Sequence, residues 1–157
     1  AEAAAAAGYS SEEGLRRAFL SARNLTPARY RREVRQMSNP LAGAAVGFVK
    51  IPVSDLEQAS GFYRDVLGLA EDFVVEAYGW AQYSTGSVPI CLYVPGRGGG
   101  DGVPGGDTGI QLRVADARAA HGALRTHAGE LNEGADGGEW FIVADPDGNL
   151  IQLMRAV

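Results

Sequence analysis

Two aspartates near the end of the chain have the residue type and spacing for acid–base chemistry. Asp145 and Asp147 stand in the segment Asp-Pro-Asp-Gly-Asn, residues 145–149, and paired carboxylates can serve as a general acid and a general base. The segment is also typical of a turn, because proline presets φ at its second position and glycine tolerates a positive φ. We therefore expect the two aspartates to shape a turn rather than to catalyse a reaction.

Histidine and cysteine offer few further options for chemistry. His121 and His127 are six residues apart in a predicted helix, which places them about 240° apart around its axis. They cannot bind one metal from the same face, and we expect both to be solvated. Cys91 has no histidine placed beside it in the sequence, and we expect it to fill space. As the single cysteine it excludes an internal disulfide and suits a reducing cytoplasm.

Length and charge indicate one full domain with a small appendage. The 157 residues contain no apolar run near the roughly 18 to 20 residues that span a bilayer, and no segment resembles a signal peptide. We therefore expect a cytoplasmic protein without a membrane partner. The net charge of −5 divides into +3 for residues 1–40 and −8 for residues 41–157. A basic segment thus precedes an acidic body.

The basic segment is predicted to be helical. An alanine-rich helix over residues 2–7 stops at Gly8, a second helix capped by Ser10 or Ser11 runs to residue 23, and a third runs over residues 27–36. Two helices joined by a tight turn outline a helix-turn-helix motif. Residues 38–45 are predicted to be a linker.

Three motifs of this segment resemble the closing half of an AraC-type DNA-binding domain: Gly8-Tyr9-Ser10-Ser11, Arg17-Ala18-Phe19 and Leu25-Thr26-Pro27-Ala28-Arg29-Tyr30-Arg31. The match covers residues 1–37. It implies that residues 11–23 form the recognition helix, with groove and phosphate contacts from Ser11, Glu12, Glu13, Arg16 and Arg17. The alternative is a helical appendage that packs on the body or on a partner chain without binding DNA.

The acidic body contains an internal duplication with an offset of 61 residues. Residues 48–68 align with residues 109–129 without a gap, at six identical positions in twenty-one. The same offset places Ile90 on Ile151 and Leu92 on Leu153. Such self-similarity predicts two copies of one structural unit.

Each copy has the pattern of a strand, an Asp-capped helix, a glycine stop and three strands. The first module covers residues 46–94, with strands predicted at 46–53, 71–77, 80–85 and 88–94 and a helix at 56–67. The second covers residues 108–157, with strands at 110–114, 130–135, 139–144 and 149–154 and a helix at 117–128. The glycine-rich segment, residues 95–107, contains seven glycines and is predicted to be a flexible connection. The fold class is therefore α+β.

Alternation along four strands predicts two different faces. One face is uniformly aliphatic and should pack against the two helices: Val49, Ile51, Val53, Ile90, Leu92, Val94, Ile110, Leu112, Val114, Ile151 and Leu153. The opposite faces are chemically mixed, so they are either wet or line a ligand cavity. We call them the first mixed face (Phe48, Lys50, Pro52, Pro89, Cys91, Tyr93) and the second mixed face (Gly109, Gln111, Arg113, Leu150, Gln152, Met154).

The body resembles the vicinal-oxygen-chelate superfamily in four features. These are the two βαβββ units, the run Val53-Ser54-Asp55-Leu56, the run from Gly61 to Leu69 and the closing Asp-Pro-Asp-Gly-Asn. This superfamily includes glyoxalase I, extradiol dioxygenases and bleomycin-resistance proteins, and the resemblance covers residues 46–157. It implies a cavity with metal ligands at four strand positions, here occupied by Phe48, Cys91, Gly109 and Gln152. Phenylalanine and glycine provide no side-chain ligand, and a catalytic divalent site needs about three protein ligands. We therefore expect no metal and no other cofactor.

Lys50 and Arg113 are the residues of the mixed faces for which burial would be most costly without a partner. An internal acid, water or an anionic ligand could satisfy each of them, and the sequence leaves these alternatives open.

These observations predict a metal-free module that binds a small molecule, anionic or aromatic, as the effector domain of a regulator or as a drug-sequestering protein. The expected ligand contacts come from both mixed faces and two tryptophans: Phe48, Lys50, Trp80, Cys91, Tyr93, Gln111, Arg113, Trp140 and Gln152. DNA is a second expected partner, through residues 1–37, and the superfamily resemblance implies a homodimer. The rival hypothesis is a metal-dependent lyase, isomerase or dioxygenase with displaced ligands.

Overall fold

The computed structural model describes residues 10–37, 41 and 43–155. The chain divides into two compact units, residues 1–45 and residues 46–157. Three parts of the predictions lie outside the described residues: the helix over residues 2–7, the first two residues of the Gly8-Tyr9-Ser10-Ser11 motif, and residues 38–40 and 42 of the predicted linker.

The described part of the first unit contains two helices, α1 (Glu12–Arg23) and α2 (Pro27–Met37). The Ser11 hydroxyl caps α1 by accepting a 3.1 Å hydrogen bond from the Gly14 amide, and α1 ends at Asn24, which has a positive φ of 54°. Thr26 caps α2 by accepting from the Arg29 amide at 3.2 Å, with Pro27 at the first helical position. Helices thus form where the caps predicted them.

The second unit consists of two modules with the same connectivity. The first module contains β1 (Val49–Pro52), α3 (Leu56–Gly61), a π-helical turn (Phe62–Val66), β2 (Ala70–Val75), a 3₁₀ turn (Glu76–Tyr78), β3 (Trp80–Ser84) and β4 (Ile90–Tyr93). The second contains β5 (Gly106–Val114), α4 (Ala117–Ala123), β6 (Asn132–Glu133), β7 (Glu139–Ala144) and β8 (Asn149–Arg155).

Each module forms its own four-stranded mixed sheet. The strand orders are β1-β4-β3-β2 and β5-β8-β7-β6. In each sheet the first and last strands of the module pair in parallel, and the other neighbours are antiparallel. The predicted α+β fold of two tandem βαβββ modules is therefore confirmed.

Several element boundaries differ from the prediction for local reasons. β1 begins at Val49, where backbone pairing starts with a 3.0 Å hydrogen bond from the Val49 amide to the Pro89 carbonyl. β6 is only two residues long, because the chain folds into a turn in which the Gly134 amide donates to the Gly138 carbonyl. Neither interaction is visible in the alternation of residue types.

The aliphatic faces of both sheets share one core with both helices. Ile51 and Val53 of the first module and Ile151 and Leu153 of the second belong to this cluster. Asp55 caps α3 and Asp116 caps α4, each accepting a 2.9 Å hydrogen bond from an amide three residues on. Aromatic and aliphatic side chains of the two modules are therefore buried together, and the mixed faces lie on the sides of the sheets that face away from this core.

Both histidine rings contact aromatic side chains of the core, but His127 is exposed, as expected, and only His121 is partly buried. The His121 ring lies edge-on to Phe141 with a centroid distance of 5.1 Å, and its Nε2 is 2.9 Å from the Gly129 carbonyl oxygen. The His127 ring lies 5.3 Å from that of Phe62. His121 lies on α4, whereas His127 lies in the turn that follows this helix.

A buried carboxylate joins the two modules. Asp145 is 5% exposed and accepts hydrogen bonds from the Tyr63 hydroxyl at 3.1 Å, the Asn149 side-chain amide at 2.8 Å and the backbone amides of Asp147 and Asn149 at 2.9 and 2.8 Å. The Asn149 amide also donates to the Pro52 carbonyl at 2.9 Å. Burial, and then the neighbouring Asp145, raises the pKa of Tyr63, so its hydroxyl remains a donor.

We expect Asp145→Asn to lower the free energy of unfolding by about 2–4 kcal/mol, because it removes the charged acceptor from several buried donors. The matched change Asp147→Asn should cost about 1 kcal/mol or less, since Asp147 accepts from Ser54 at an exposed position. Urea unfolding followed by circular dichroism measures both. Equal losses for the two variants would contradict the assigned role of Asp145.

Candidate functional site

The predicted ligand contacts fall into two sets on two sheets. Strand register places Trp80 beside Tyr93 and Trp140 beside Met154, so each tryptophan joins the mixed face of its own module. The first set is Phe48, Lys50, Trp80, Cys91 and Tyr93. The second set is Gln111, Arg113, Trp140 and Gln152.

Phe48 and Trp80 form an aromatic pair on the first mixed face. Their ring centroids are 5.6 Å apart at an interplanar angle of 87°, which is a favourable edge-to-face arrangement. Phe48 is 48% exposed, so this pair offers apolar and aromatic surface to a ligand.

The Lys50 ammonium is held beside this pair by an internal partner. It donates a 2.5 Å hydrogen bond to the Gly99 carbonyl and lies 5.1 Å from the centroid of the Tyr93 ring, within range of a cation–π interaction. An ammonium has three donors, so contact with Gly99 leaves donors for a ligand or for water. Lys50 is exposed.

The glycine-rich segment packs on the first mixed face, although the sequence predicted a flexible connection. A Cβ atom on Gly99 would lie 2.4 Å from Tyr93 Cβ, and one on Gly102 would lie 2.2 Å from the Tyr93 hydroxyl oxygen. These approaches require glycine, and they leave Tyr93 only 6% exposed. Tyr93 therefore supports Lys50 and the glycine-rich segment instead of presenting an open stacking surface.

Cys91 lies on β4 and is fully buried between Lys50 of β1 and Gln82 of β3. Its thiol donates to the Gln82 side-chain oxygen at 3.4 Å. Burial, with a smaller contribution from Asp72, raises the pKa of the thiol. Cys91 thus remains protonated at neutral pH, which disfavours both metal binding and nucleophilic attack.

A pair of glutamines marks the second mixed face. Gln111 and Gln152 are partners in the parallel register, and the Gln111 amide donates to the Gln152 side-chain oxygen at 2.8 Å. Both line an open cleft of about 230 Å³ together with Asp107, Gly109, Ile110, Ile142 and Leu150. The cleft therefore combines the two neutral glutamine amides with aliphatic side chains and one carboxylate, Asp107, which accepts from the Gly109 amide.

Arg113 and Trp140 occupy the periphery of the second mixed face. Arg113 is exposed and has no hydrogen bond or ion pair with another described residue. With Gln111 it lines a further cleft of about 570 Å³ beside Val49 and Ile90. Trp140 is half-buried between Asn132 and Met154. Of the three partners that the sequence left open for Arg113, no internal acid is found among the described residues. Water or an anionic ligand remains.

The residues at the four implied metal positions do not fit a divalent ion. Phe48 and Gly109 have no ligand atom, Cys91 is a protonated thiol, and the Gln152 oxygen accepts from Gln111. Within the described ranges, no three His, Cys, Asp or Glu side chains are grouped as metal ligands would be. A displaced site with Glu76, Glu139 or Cys91 is likewise not assembled among these residues.

Gln82 and Gly99 are site residues that the sequence analysis missed. Gln82 is opposite Cys91 in the antiparallel register, and its amide donates to Asp72 at 3.1 Å. Alternation from Trp80 along β3 could have placed Gln82 on the mixed face. The approach of Gly99 to Lys50 depends on the path of an irregular segment, for which the sequence contains no periodic signal.

The predicted DNA contacts lie at the start of α1. Glu13 accepts two 2.8 Å hydrogen bonds from the Arg16 guanidinium and lies 3.8 Å from Arg17. Ser11 is committed to capping the helix, and the side chain of Glu12 lies outside the described part. Arg16 and Arg17 are both exposed, so they are the residues of this set that offer positive charge to a partner.

The chain is thus a protein of two paired βαβββ modules, with a chemically mixed face on each sheet. A comparison with family models shows which family has this architecture. The model of the Glyoxalase/Bleomycin resistance protein/Dioxygenase superfamily matches residues 45–153. The chain belongs to this superfamily.

Solved structures with the same fold cover the second unit. A member of this superfamily from Sphaerobacter thermophilus is 26% identical, with a TM-score of 0.64 over 72% of this chain and 98% of that one. A lactoylglutathione lyase from Agrobacterium tumefaciens is 17% identical, with a TM-score of 0.62 over 72% and 94%. TioX from a Micromonospora species is 16% identical, with a TM-score of 0.58 over 73% and 100%.

A comparison with curated proteins found no match. Among the described helices, none has both the length and the apolar character that a membrane span requires.

We expect Gly99→Ala to lower the free energy of unfolding by about 1–3 kcal/mol, or to detach the glycine-rich segment from Tyr93, because the added methyl group overlaps the tyrosine. Gly47→Ala is the matched control, since a Cβ atom there would meet no atom within 4 Å. Urea unfolding and limited proteolysis of the segment measure the two effects. Indistinguishable behaviour of the two variants would refute the close packing.

Proposed function

We propose that this protein binds a small aromatic anion without a metal, as a ligand-sensing or drug-binding member of its superfamily. The observation that supports this proposal best is the Lys50 ammonium, oriented by Gly99 and Tyr93, beside the half-exposed Phe48–Trp80 pair. A cation next to aromatic edges suits a ligand in which a carboxylate or similar group is attached to an aromatic ring.

The second mixed face complements this half-site. The Gln111–Gln152 pair offers neutral hydrogen-bonding groups, and Arg113 offers an unpaired guanidinium within the described part of the chain. Because the two faces belong to different sheets, a homodimer that places the first face of one subunit against the second face of its partner would enclose a ligand. Isologous pairing of this kind generates two equivalent sites.

The side chains at the four implied metal positions favour binding of a small molecule over metal-dependent chemistry. A protonated Cys91 and an engaged Gln152 leave the usual ligand positions without a strong donor, so we derive no reaction step through a metal. The rival enzymatic function makes a different prediction, which metal analysis of protein purified without chelator measures directly.

We expect 4-nitrobenzoate, an aromatic carboxylate, to quench the fluorescence of Trp80 in a saturable manner. Lys50→Met should weaken its binding about tenfold, because the charge-assisted contact is lost. Arg125→Gln, which removes an exposed cation from the α4 side of the second module, is the control and should leave binding unchanged. Fluorescence titration gives the dissociation constants, and circular dichroism checks that each variant is folded.

Two results would overturn the proposal. One is quenching that responds equally to Lys50→Met and Arg125→Gln, which would show that charge at the first mixed face is irrelevant. The other is a stoichiometric divalent ion whose removal changes activity or ligand binding, which would favour the enzyme.

A second proposed activity is DNA binding by the first unit, as part of a transcription regulator. Its support is the exposure of Arg16 and Arg17 on α1 and of Arg31, Arg32 and Arg35 on α2, together with the AraC-type motifs. Neutralising phosphates with arginine makes such binding strongly dependent on salt.

We expect the chain to bind a mixed-sequence DNA duplex at low ionic strength, measured by fluorescence anisotropy. Arg16→Gln combined with Arg17→Gln should reduce the slope of log affinity against log salt by about 2, since each phosphate contact contributes about 0.9. Arg125→Gln should leave the slope unchanged. Binding that is unaffected by the double variant would exclude α1 as the recognition helix.

A further inference from the structure

A charged cleft of about 550 Å³ lies outside both mixed faces. It opens between α3 and the end of β2, on the helix side of the first sheet. Its lining is Leu56, Glu57, Ser60, Arg64, Glu71, Val74, Glu76 and Arg97. Five of these eight residues are charged, whereas the cleft beside the two glutamines has one charged residue, Asp107.

The charges of the cleft are only partly paired. Arg64 makes two 2.8 Å hydrogen bonds to Asp65, which lies outside the lining, and is 3.5 Å from Glu71 across one wall. Glu57, Glu76 and Arg97 form no hydrogen bond or ion pair with any residue in the described ranges. The unpaired groups therefore leave two negative charges and one positive charge facing the cleft.

A buried hydroxyl in the same lining also lacks a partner. Ser60 is 6% exposed, and its Oγ has no hydrogen bond within the described part of the molecule. The neighbouring Tyr83 hydroxyl donates to Glu71 at 3.3 Å. Burial raises the pKa of Tyr83, and the adjacent Ser60 hydroxyl opposes this shift. The Ser60 hydroxyl, which adjoins Tyr83, therefore retains hydrogen-bonding capacity for a polar group in the cleft.

The position of Arg97 is fixed by packing. A Cβ atom on Gly79 would lie 2.8 Å from Val94 Cβ and 3.3 Å from Arg97 Cδ. Gly79 also needs its positive φ of 59°, and its carbonyl accepts a 2.8 Å hydrogen bond from the Val94 amide. The absent side chain at residue 79 lets the stem of Arg97 lie against the sheet, beside the cleft that Arg97 lines.

We propose that this cleft binds a basic amino acid, a ligand with two cationic groups and one carboxylate. The two free carboxylates, Glu57 and Glu76, match the two cationic groups, and Arg97 matches the carboxylate. The buried Ser60 hydroxyl provides a hydrogen-bonding group at the wall. The lining has three carboxylates and two guanidinium groups, a net charge of −1, and Asp65 beside Arg64 adds a further negative charge, so the cleft is complementary to a ligand with a net charge of +1.

This site is independent of the proposed binding of an aromatic anion, because no residue belongs to both sets. Failure of one proposal therefore leaves the other intact.

Isothermal titration of the full chain with L-lysine at low ionic strength tests the proposal. We expect saturable binding with one site per chain. Glu57→Gln combined with Glu76→Gln should weaken it about tenfold or more, and Arg97→Gln should weaken it about tenfold. Glu133→Gln and Arg125→Gln, at exposed positions of the second module, are the matched controls and should leave it unchanged.

Cadaverine, which has both ammonium groups of lysine but no carboxylate, separates the roles of the charges. We expect it to bind more weakly than L-lysine and to be insensitive to Arg97→Gln. Absence of saturable L-lysine binding at millimolar concentration would overturn the proposal. Equal effects of the cleft variants and the control variants, in proteins with the same thermal stability, would also overturn it.

Discussion

The Asp145 carboxylate accepts hydrogen bonds from Tyr63 of the first module and from Asn149 and Asp147 of its own turn. Both carboxylate oxygens of Asp145 accept hydrogen bonds, which offset the cost of burying its charge. These bonds fix the position of the two modules at this point. Asn149 extends the junction to the Pro52 carbonyl at the end of β1 and to the Gly105 amide. The relative positions of the two parallel strand pairs, and with them of the two mixed faces, depend on these contacts.

Because both helices and both aliphatic faces share one core, the mixed faces are the surfaces that remain for chemistry. The first carries a cation whose position is set by a carbonyl of the glycine-rich segment, and the second carries neutral amides that bond to each other. The same segment that positions Lys50 also contributes Arg97 to the charged cleft. One irregular stretch thus contributes to two chemically different surfaces.

Membership of the superfamily establishes the fold without establishing the chemistry. In this chain the four implied ligand positions hold an aromatic ring, a protonated thiol, a glycine and an engaged glutamine, so the frame is present while the metal donors are not. The proposed ligand binding depends instead on the Lys50 ammonium and the Phe48–Trp80 pair, which are suited to a ligand that is bound rather than transformed.

The sequence by itself determined the two βαβββ modules, the Asp caps of both helices and the face of each strand, because repeats, caps and alternation are local signals. It also showed that Phe48 and Gly109, at two of the four implied metal positions, have no side-chain donor atom. Only the tertiary structure decided that the glycine-rich segment covers Tyr93, that the histidines pack on Phe62 and Phe141, and that Asp145 joins the modules. Such contacts connect residues far apart in the chain, and their physical cause is close packing in three dimensions. A pattern of residue types along one strand or helix does not predict them.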